Sequence, residues 1–322
     1  MFGVGKIEYR KLISFGKSSY VVSLPKAWVR KNKLEKGALI YFDEKDPDLI
    51  LSITGNQVAN NREVTINIDG KEMRQIKREI IGGYIKNNKT IILAGNDIKD
   101  KAKEIQPIIQ SLVALEVMEQ TTKKIVAKDF LNMDDVSTKT ITRKIDVIIR
   151  SMFEDCKNMF IEDTYESINY RDNDVNKLVF LMFRIVRYGF ENASYMIKKF
   201  GLMAIDLSNL WWLAFELESV ADEVKRTARF MGEIKLNKKK QEEYVEILNK
   251  IERIYLDIMK AYHTHDLPLV HSVLNSRDEA MMLCDKFYLE NKPIEKIAFL
   301  IDRTKAVVDH VGNVGRVIYL GF

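Results

Sequence analysis

The chain of 322 residues holds only two cysteines, four histidines and five prolines. Cys156 and Cys284 lie far apart in apolar-patterned segments, so no disulfide framework exists and two buried, reduced thiols are expected. No Glu-x-x-His pair is present. No apolar run reaches eighteen residues, and Glu8, Arg10 and Lys11 interrupt the N-terminus, which predicts neither a spanning helix nor a signal peptide and places the protein in the cytoplasm. Glycine fingerprints are missing too. Gly16-Lys17-Ser18 imitates the end of a phosphate-binding loop, but the earlier glycine that such a loop needs would fall at Lys11.

The composition that remains, 46% hydrophobic and 30% charged, suits a soluble chain of two or three domains. Charge is distributed unevenly. Residues 1–45 carry ten Lys or Arg against four acids, a balance of +6, whereas the whole chain is +5. A basic end on a near-neutral body matches what phosphate-backbone binding requires, since each neutralised phosphate releases condensed counterions.

The basic end has recognisable local structure. Tyr9 to Ser14 and Ser19 to Ser23 are rich in aromatic and β-branched residues, with Gly16-Lys17-Ser18 as the turn of a hairpin. Pro25 opens a helix at a first-turn position, where its missing N–H costs little, and Ala27 to Lys33 continues it until Gly37. Leu39 to Phe42 and Leu49 to Ile53 form a second pair of strands around an Asp-Pro-Asp turn. About fifty residues with so few apolar positions cannot bury a core alone, which predicts dimerisation.

The run from Arg10 to Phe42, with Gly16-Lys17-Ser18-Ser19-Tyr20, Ser23-Leu24-Pro25-Lys26 and Leu34 to Gly37, resembles the AbrB/MazE/SpoVT-type DNA-binding domain. The resemblance implies a swapped-hairpin, all-β fold in which two chains interlace into a homodimer whose basic residues reach DNA. It implies DNA contacts from Arg10, Lys11, Lys17, Ser18 and Ser19, and phosphate contacts from Lys26 and Arg30. Lys17 stands where a second glycine is usual. The competing view is a dimerisation element whose lysines form a solvated face.

Residues 56–135 have another texture: a strand at Val64 to Ile68, a helix at Glu72 to Lys86, a strand at Thr90 to Leu93, a helix at Asp100 to Leu112 and strand material from Glu116 to Phe130. This predicts a small α/β domain without a catalytic constellation. Gly82-Gly83 in the helix marks either close packing or a break.

From Ser137 onward apolar residues recur every three or four positions, as in a helical bundle. The pattern repeats. Ile168-Asn169-Tyr170-Arg171-Asp172 returns as Leu274-Asn275-Ser276-Arg277-Asp278, and each unit closes with a further helix, Ser208 to Met231 and Ile294 to Tyr319. The expected organisation is therefore multidomain: an AbrB-like unit at 1–55, the α/β domain at 56–135, and an all-α bundle of two three-helix repeats at 136–235 and 236–322.

Glu218 and Asp222 lie four apart on one helical face among Leu217, Val220, Ala221 and Val224. Buried like charges repel unless a cation compensates. One reading is surface charge paired with Lys225 and Arg226. The other follows from resemblance: Leu217 to Val224 in the closing helix of a three-helix unit is similar to the acidic motif of the PhoU family of phosphate-uptake regulators. With the AbrB-like end, the composite resembles an archaeal-type phosphate-uptake regulator. The family implies an iron-type or other divalent metal cluster, here held by Glu218 and Asp222 with Asp172 or Asp174, and in the second copy by Asp309. That copy has Lys305 where a glutamate belongs, and an ammonium would replace a cation rather than bind one. His263, His265 and His271, clustered around a turn, form a weaker candidate, because alternate residues there do not share a face.

The expected function is a DNA-binding transcriptional regulator of phosphate uptake with a helical sensor. The alternative is a signalling adaptor that docks on a phosphate transporter or its sensor, with the N-terminal domain serving only to dimerise. A carboxylate-metal enzyme is disfavoured by Lys305 and by the missing Glu-x-x-His pair.

Overall fold

A computed structural model of the chain describes residues 9–17, 19–45, 48–53 and 62–321. The chain divides into two compact units, residues 1–59 and 60–322.

The first unit contains two antiparallel ribbons and one short helix. Strands β1 (Ile13–Phe15) and β2 (Ser19–Val21) pair with Phe15 opposite Ser19, and Gly16 takes φ +71° at the turn, where a side chain would be strained. The helix α1 (Lys26–Lys31) follows Pro25. It ends earlier than the sequence suggests. Asn32 donates to the Trp28 carbonyl at 2.8 Å, Lys33 turns left-handed at φ 52°, and the Leu34 amide reaches back to the Val29 carbonyl, so the stop precedes Gly37. Strands β3 (Tyr41–Lys45) and β4 (Asp48–Ser52) form the second ribbon. Among the residues of this unit whose exposure is described, none is buried.

The second unit opens with β5 (Glu63–Asn67), α2 (Met73–Ile85), β6 (Thr90–Ala94), α3 (Ile98–Gln110), β7 (Leu115–Gln120) and β8 (Lys124–Asp129). The sheet runs β5-β6-β8-β7, with β5 and β6 parallel across α2 and the other pairs antiparallel. Ile91, Leu93, Ile125 and Ala127 alternate onto one face, where Ile76, Ile80 and Tyr84 of α2 and Ile105 and Ile109 of α3 cover them. Gly83 explains the glycine pair. A Cβ there would lie 3.3 Å from both Ile91 and Val64, so Gly83 permits close packing and α2 runs through unbroken.

Seven helices follow: α4 (Thr138–Asn158), α5 (Tyr165–Glu191), α6 (Ala193–Phe200), α7 (Ala204–Glu233), α8 (Lys238–Thr264), α9 (Leu267–Asn291) and α10 (Ile297–Gly321). Side-chain caps set several starts: Ser137 accepts the Thr140 amide, Asn237 the Lys240 amide and Asp266 the Leu269 amide. The three long helices of each repeat are present, but the first repeat has an additional short one. α5 ends at Asn192, whose side chain donates to the Tyr188 carbonyl, and α6 ends at Gly201 with φ +65°. Both repeats share one continuous apolar core.

Arg184 joins the bundle to the sheet. Fully buried on α5, it binds Asp129 at the end of β8 through two hydrogen bonds of 2.7 and 2.5 Å and lies over the Tyr84 ring. Asn87 accepts from Arg184 Nε at 3.1 Å, and Lys89 adds a second cation to Asp129 at 2.7 Å. A buried pair of this kind is tolerated only when its remaining donors and acceptors are satisfied, as they are here.

Candidate functional site

In the first unit the basic residues lie on or beside short elements. Arg10 and Lys11 precede β1, Lys17 sits in the turn, and Lys26 and Arg30 are four apart on α1, hence on one face. Lys11, Lys17, Lys26 and Arg30 take part in no ion pair among the described residues. Ser19 has a structural task, since its hydroxyl donates to the Phe15 carbonyl at 2.7 Å and closes the hairpin. Ser18 lies outside the described residues. Around these cations large apolar side chains stand uncovered: Tyr9, Leu12, Ile13, Phe15, Tyr20 and Leu39 are all exposed.

In the bundle the structure brings together Asp172 from α5 and Glu218 and Asp222 from α7. Lys225 Nζ sits among them, 2.5 Å from Asp172 Oδ2 and 2.9 Å from Asp222 Oδ1, and Arg226 binds the other Asp222 oxygen at 2.6 Å. Burial opposes the Lys225 charge, but its hydrogen bonds to the two carboxylates overcome this and hold its pKa above the usual lysine value. Burial raises the pKa of Asp172 against the pull of Lys225. Glu218 takes no hydrogen bond among the described residues, and burial, followed by the charges of Asp222 and Asp172, raises its pKa.

The residues expected to bind metal do not fit a metal ion. An ammonium already occupies the centre of the carboxylates, and among the described residues no group of three or more His, Cys, Asp or Glu side chains is disposed to hold one. Asp174 is half-buried and joins no ion pair among the described residues. Asp309 is on α10 and pairs with Arg277, away from the first cluster. Lys305 pairs with Asp285. Pairing with Lys225 and Arg226 holds for Asp222, while Glu218 joins no ion pair among the described residues.

The histidine trio also separates. His263 lies in the last turn of α8, with Nε2 3.5 Å from Asp146; His265 caps that helix at φ 57°; and His271 stands on α9 against Tyr319. Their connection is only two residues long, so the ring directions are dictated by two different helices. Both thiols are buried, and burial pushes each up to about 12.

Two groups were not foreseen. One is the Arg184–Asp129 pair, although the spacing contained a signal: Arg184 falls three residues after Leu181 on the apolar face of α5, and Asp129 two after Ala127 on the inward face of β8. The other is a reciprocal pair across α7 and α10. Glu216 accepts from Trp212 at 3.0 Å and meets His310 Nδ1 at 2.8 Å, while Glu223 lies 3.3 Å from Arg303. The hydrogen bond to Glu216 raises the His310 pKa. Burial works against the Glu216 charge, yet His310, Trp212 and Asn313 together hold its pKa below the usual value.

No protein-family model matches the chain, and no curated protein is similar to it. Among solved structures, the crystal structure of PhoU from Pseudomonas aeruginosa is similar at 15% identity and a TM-score of 0.44, over 57% of this chain and 94% of that one. Among the described residues, no helix is long and apolar enough to cross a membrane.

Proposed function

We propose that the chain is a DNA-binding regulator of phosphate homeostasis, with residues 1–55 as the DNA-reading, dimerising end and the helical repeats as its sensing part. The observation that carries the DNA half is the set of cations Lys11, Lys17, Lys26 and Arg30, which join no ion pair among the described residues, on a unit in which no residue of described exposure is buried. Cations held without acidic partners are available to phosphates, and uncovered apolar strands are available to a second copy of the same unit. The phosphate half rests on the likeness of Leu217 to Val224 and of the doubled three-helix plan to the PhoU family. Metal plays no part in the proposal, because the Lys225 ammonium stands between Asp172 and Asp222, where a cation would sit.

The test is fluorescence anisotropy of the full chain on duplex DNA at several salt concentrations. Binding should weaken linearly on a log–log plot, and replacing Lys11, Lys17, Lys26 and Arg30 by Gln should flatten the slope by roughly 0.9 for each phosphate that is no longer neutralised. Negligible binding by the unaltered chain would leave the N-terminal unit as a dimerisation element. The adaptor on a phosphate transporter or its sensor would then take first place.

A further inference from the structure

The N-terminal turns of α4, the first turns of α7 and the C-terminal ends of α8 and α10 surround a cavity of about 790 Å3, within the size range of pockets that enclose small organic ligands. Its walls differ in chemistry. Leu202, Leu210, Leu213, Val317 and Ile318 supply an apolar side, and Lys139, Arg143 and Lys144 supply a cationic one. None of those three cations takes part in a hydrogen bond or ion pair among the described residues. The acid in the lining, Asp206, is committed elsewhere, because its carboxylate accepts the Met203 amide at 2.7 Å at the start of α7.

This grouping runs against local helix energetics. The N-terminal end of a helix carries positive partial charge and favours acids, yet the first turn of α4 has none and its first two turns hold three cations. Lys139 and Arg143 are four apart and repel each other. A sequence that breaks a local rule without an internal compensation marks a place where something else compensates. Three cations and a helix N-terminus match several negative charges at once. A bare inorganic anion would leave the apolar wall in contact with water.

We propose that this cavity binds a phosphate-bearing organic anion of nucleotide type, its phosphates against Lys139, Arg143 and Lys144 and its apolar body against Val147, Leu202 and Leu210. Asn209, in the same lining and without a side-chain hydrogen bond among the described residues, offers an amide to the polar edge of that body. The site is independent of DNA binding and is tested without DNA.

The experiment is isothermal titration calorimetry of the full chain with ATP and GTP, with tripolyphosphate and adenosine as the separated halves. At least one nucleotide should bind, and each half should bind about tenfold or more weakly, since each fills one wall only. Arg143→Glu with Lys144→Glu, both exposed, should weaken nucleotide binding about tenfold or more, whereas Lys99→Glu with Lys103→Glu on α3, exposed and outside the cavity, should leave it unchanged. Circular dichroism of each variant confirms the fold. Binding of neither nucleotide overturns the proposal. Equal affinity for tripolyphosphate removes the organic body from it, and equal loss in the α3 variant reduces the effect to overall charge.

Discussion

The closing helices of the two repeats, α7 and α10, occupy matching places and bring opposite charge to their crossing. α7 contributes Glu216 and Glu223, seven residues apart; α10 contributes Arg303 and His310 at the same spacing. The pairs exchange across the interface, Glu216 with His310 and Glu223 with Arg303. Two identical closing helices would set glutamate against glutamate, so divergence of sign between the repeats selects this crossing over a self-pairing one. A second difference lies at the acid motif. Repeat one has Lys225, which sits between Asp172 and Asp222; repeat two has Gly312 at the corresponding position. A Cβ on Gly312 would lie 2.8 Å from Arg277 Cδ, so the missing side chain is the space through which Arg277 passes to reach Asp309. Asp172 is 3% exposed, whereas its counterpart Asp278 has a side chain 78% exposed. One motif has become an internal, ammonium-filled cluster and the other a solvated surface pair.

The strongest way to break that contrast is Lys225→Met. It strands Asp172 in the interior beside Glu218 and Asp222, and the expected loss is about 2–3 kcal/mol of unfolding free energy, somewhat below the figure for a fully buried pair because Lys225 keeps some solvent contact. Denaturant unfolding at pH 7 measures it. Repeat two has no lysine at the matching position; removing the ammonium it does have, by Lys305→Met, breaks only the solvent-exposed pair with Asp285 and should cost no more than about 0.5 kcal/mol. Equal losses in the two repeats would erase the distinction between them.

Next in size is His310→Gln, which acts on the reciprocal pair. The folded state raises the His310 pKa, so the stability contributed by its charged form is fully present below the ordinary histidine value of 6.5 and is lost as pH rises through the folded value. The substitution should therefore cost about 1 kcal/mol near pH 5.5 and progressively less toward pH 9. A cost independent of pH would make His310 a packing residue.

Much of this architecture is legible in the sequence because apolar spacing reports it directly. The alternation at Ile91 and Leu93 and the three- and four-residue steps at Ile141, Ile145 and Ile149 each have one physical solution, and the elements form where that solution requires. The helix breaks at Asn192 and Gly201 are less visible, since both depend on backbone angles that many neighbouring residues would also permit. The acid cluster shows the opposite problem. Glu218 and Asp222 share a face in any helix, but whether a metal or an ammonium compensates them depends on where Lys225 points, and that is decided by Asp172 from another helix, 53 residues earlier. Arg184 carries the same lesson: a charge on an apolar stripe announces a buried partner without saying that it is Asp129, 55 residues away.

A smaller effect with the opposite sign is expected for Glu218→Gln. Burial and the neighbouring carboxylates raise the Glu218 pKa, so ionisation weakens the fold increasingly as pH rises above the ordinary value of 4.5, and fully once pH exceeds the folded value. The amide should raise the melting temperature at pH 7–8. That gain should shrink as pH falls through the folded value and vanish below the ordinary glutamate value of 4.5. In a metal-binding cluster the same change would instead lower both stability and metal content, so metal analysis of the purified variant separates the two cases.

The smallest effect concerns repeat two. Arg277 and Asp309 form a close pair at the surface, Asp309 being about half exposed. Solvent screens such a contact, and ordering two long side chains opposes it, so a double-mutant cycle with Arg277→Gln and Asp309→Asn should return a coupling of about 0.5 kcal/mol that declines with added salt. Gly312→Ala makes the comparison sharper. The new methyl group obstructs the route that Arg277 takes, so it should abolish the coupling while leaving α10 intact, alanine being the better helix former. If the coupling survives in the alanine background, the space left by Gly312 is not what directs Arg277, and the divergence of the two motifs must be traced to Lys305 and Asp285 instead.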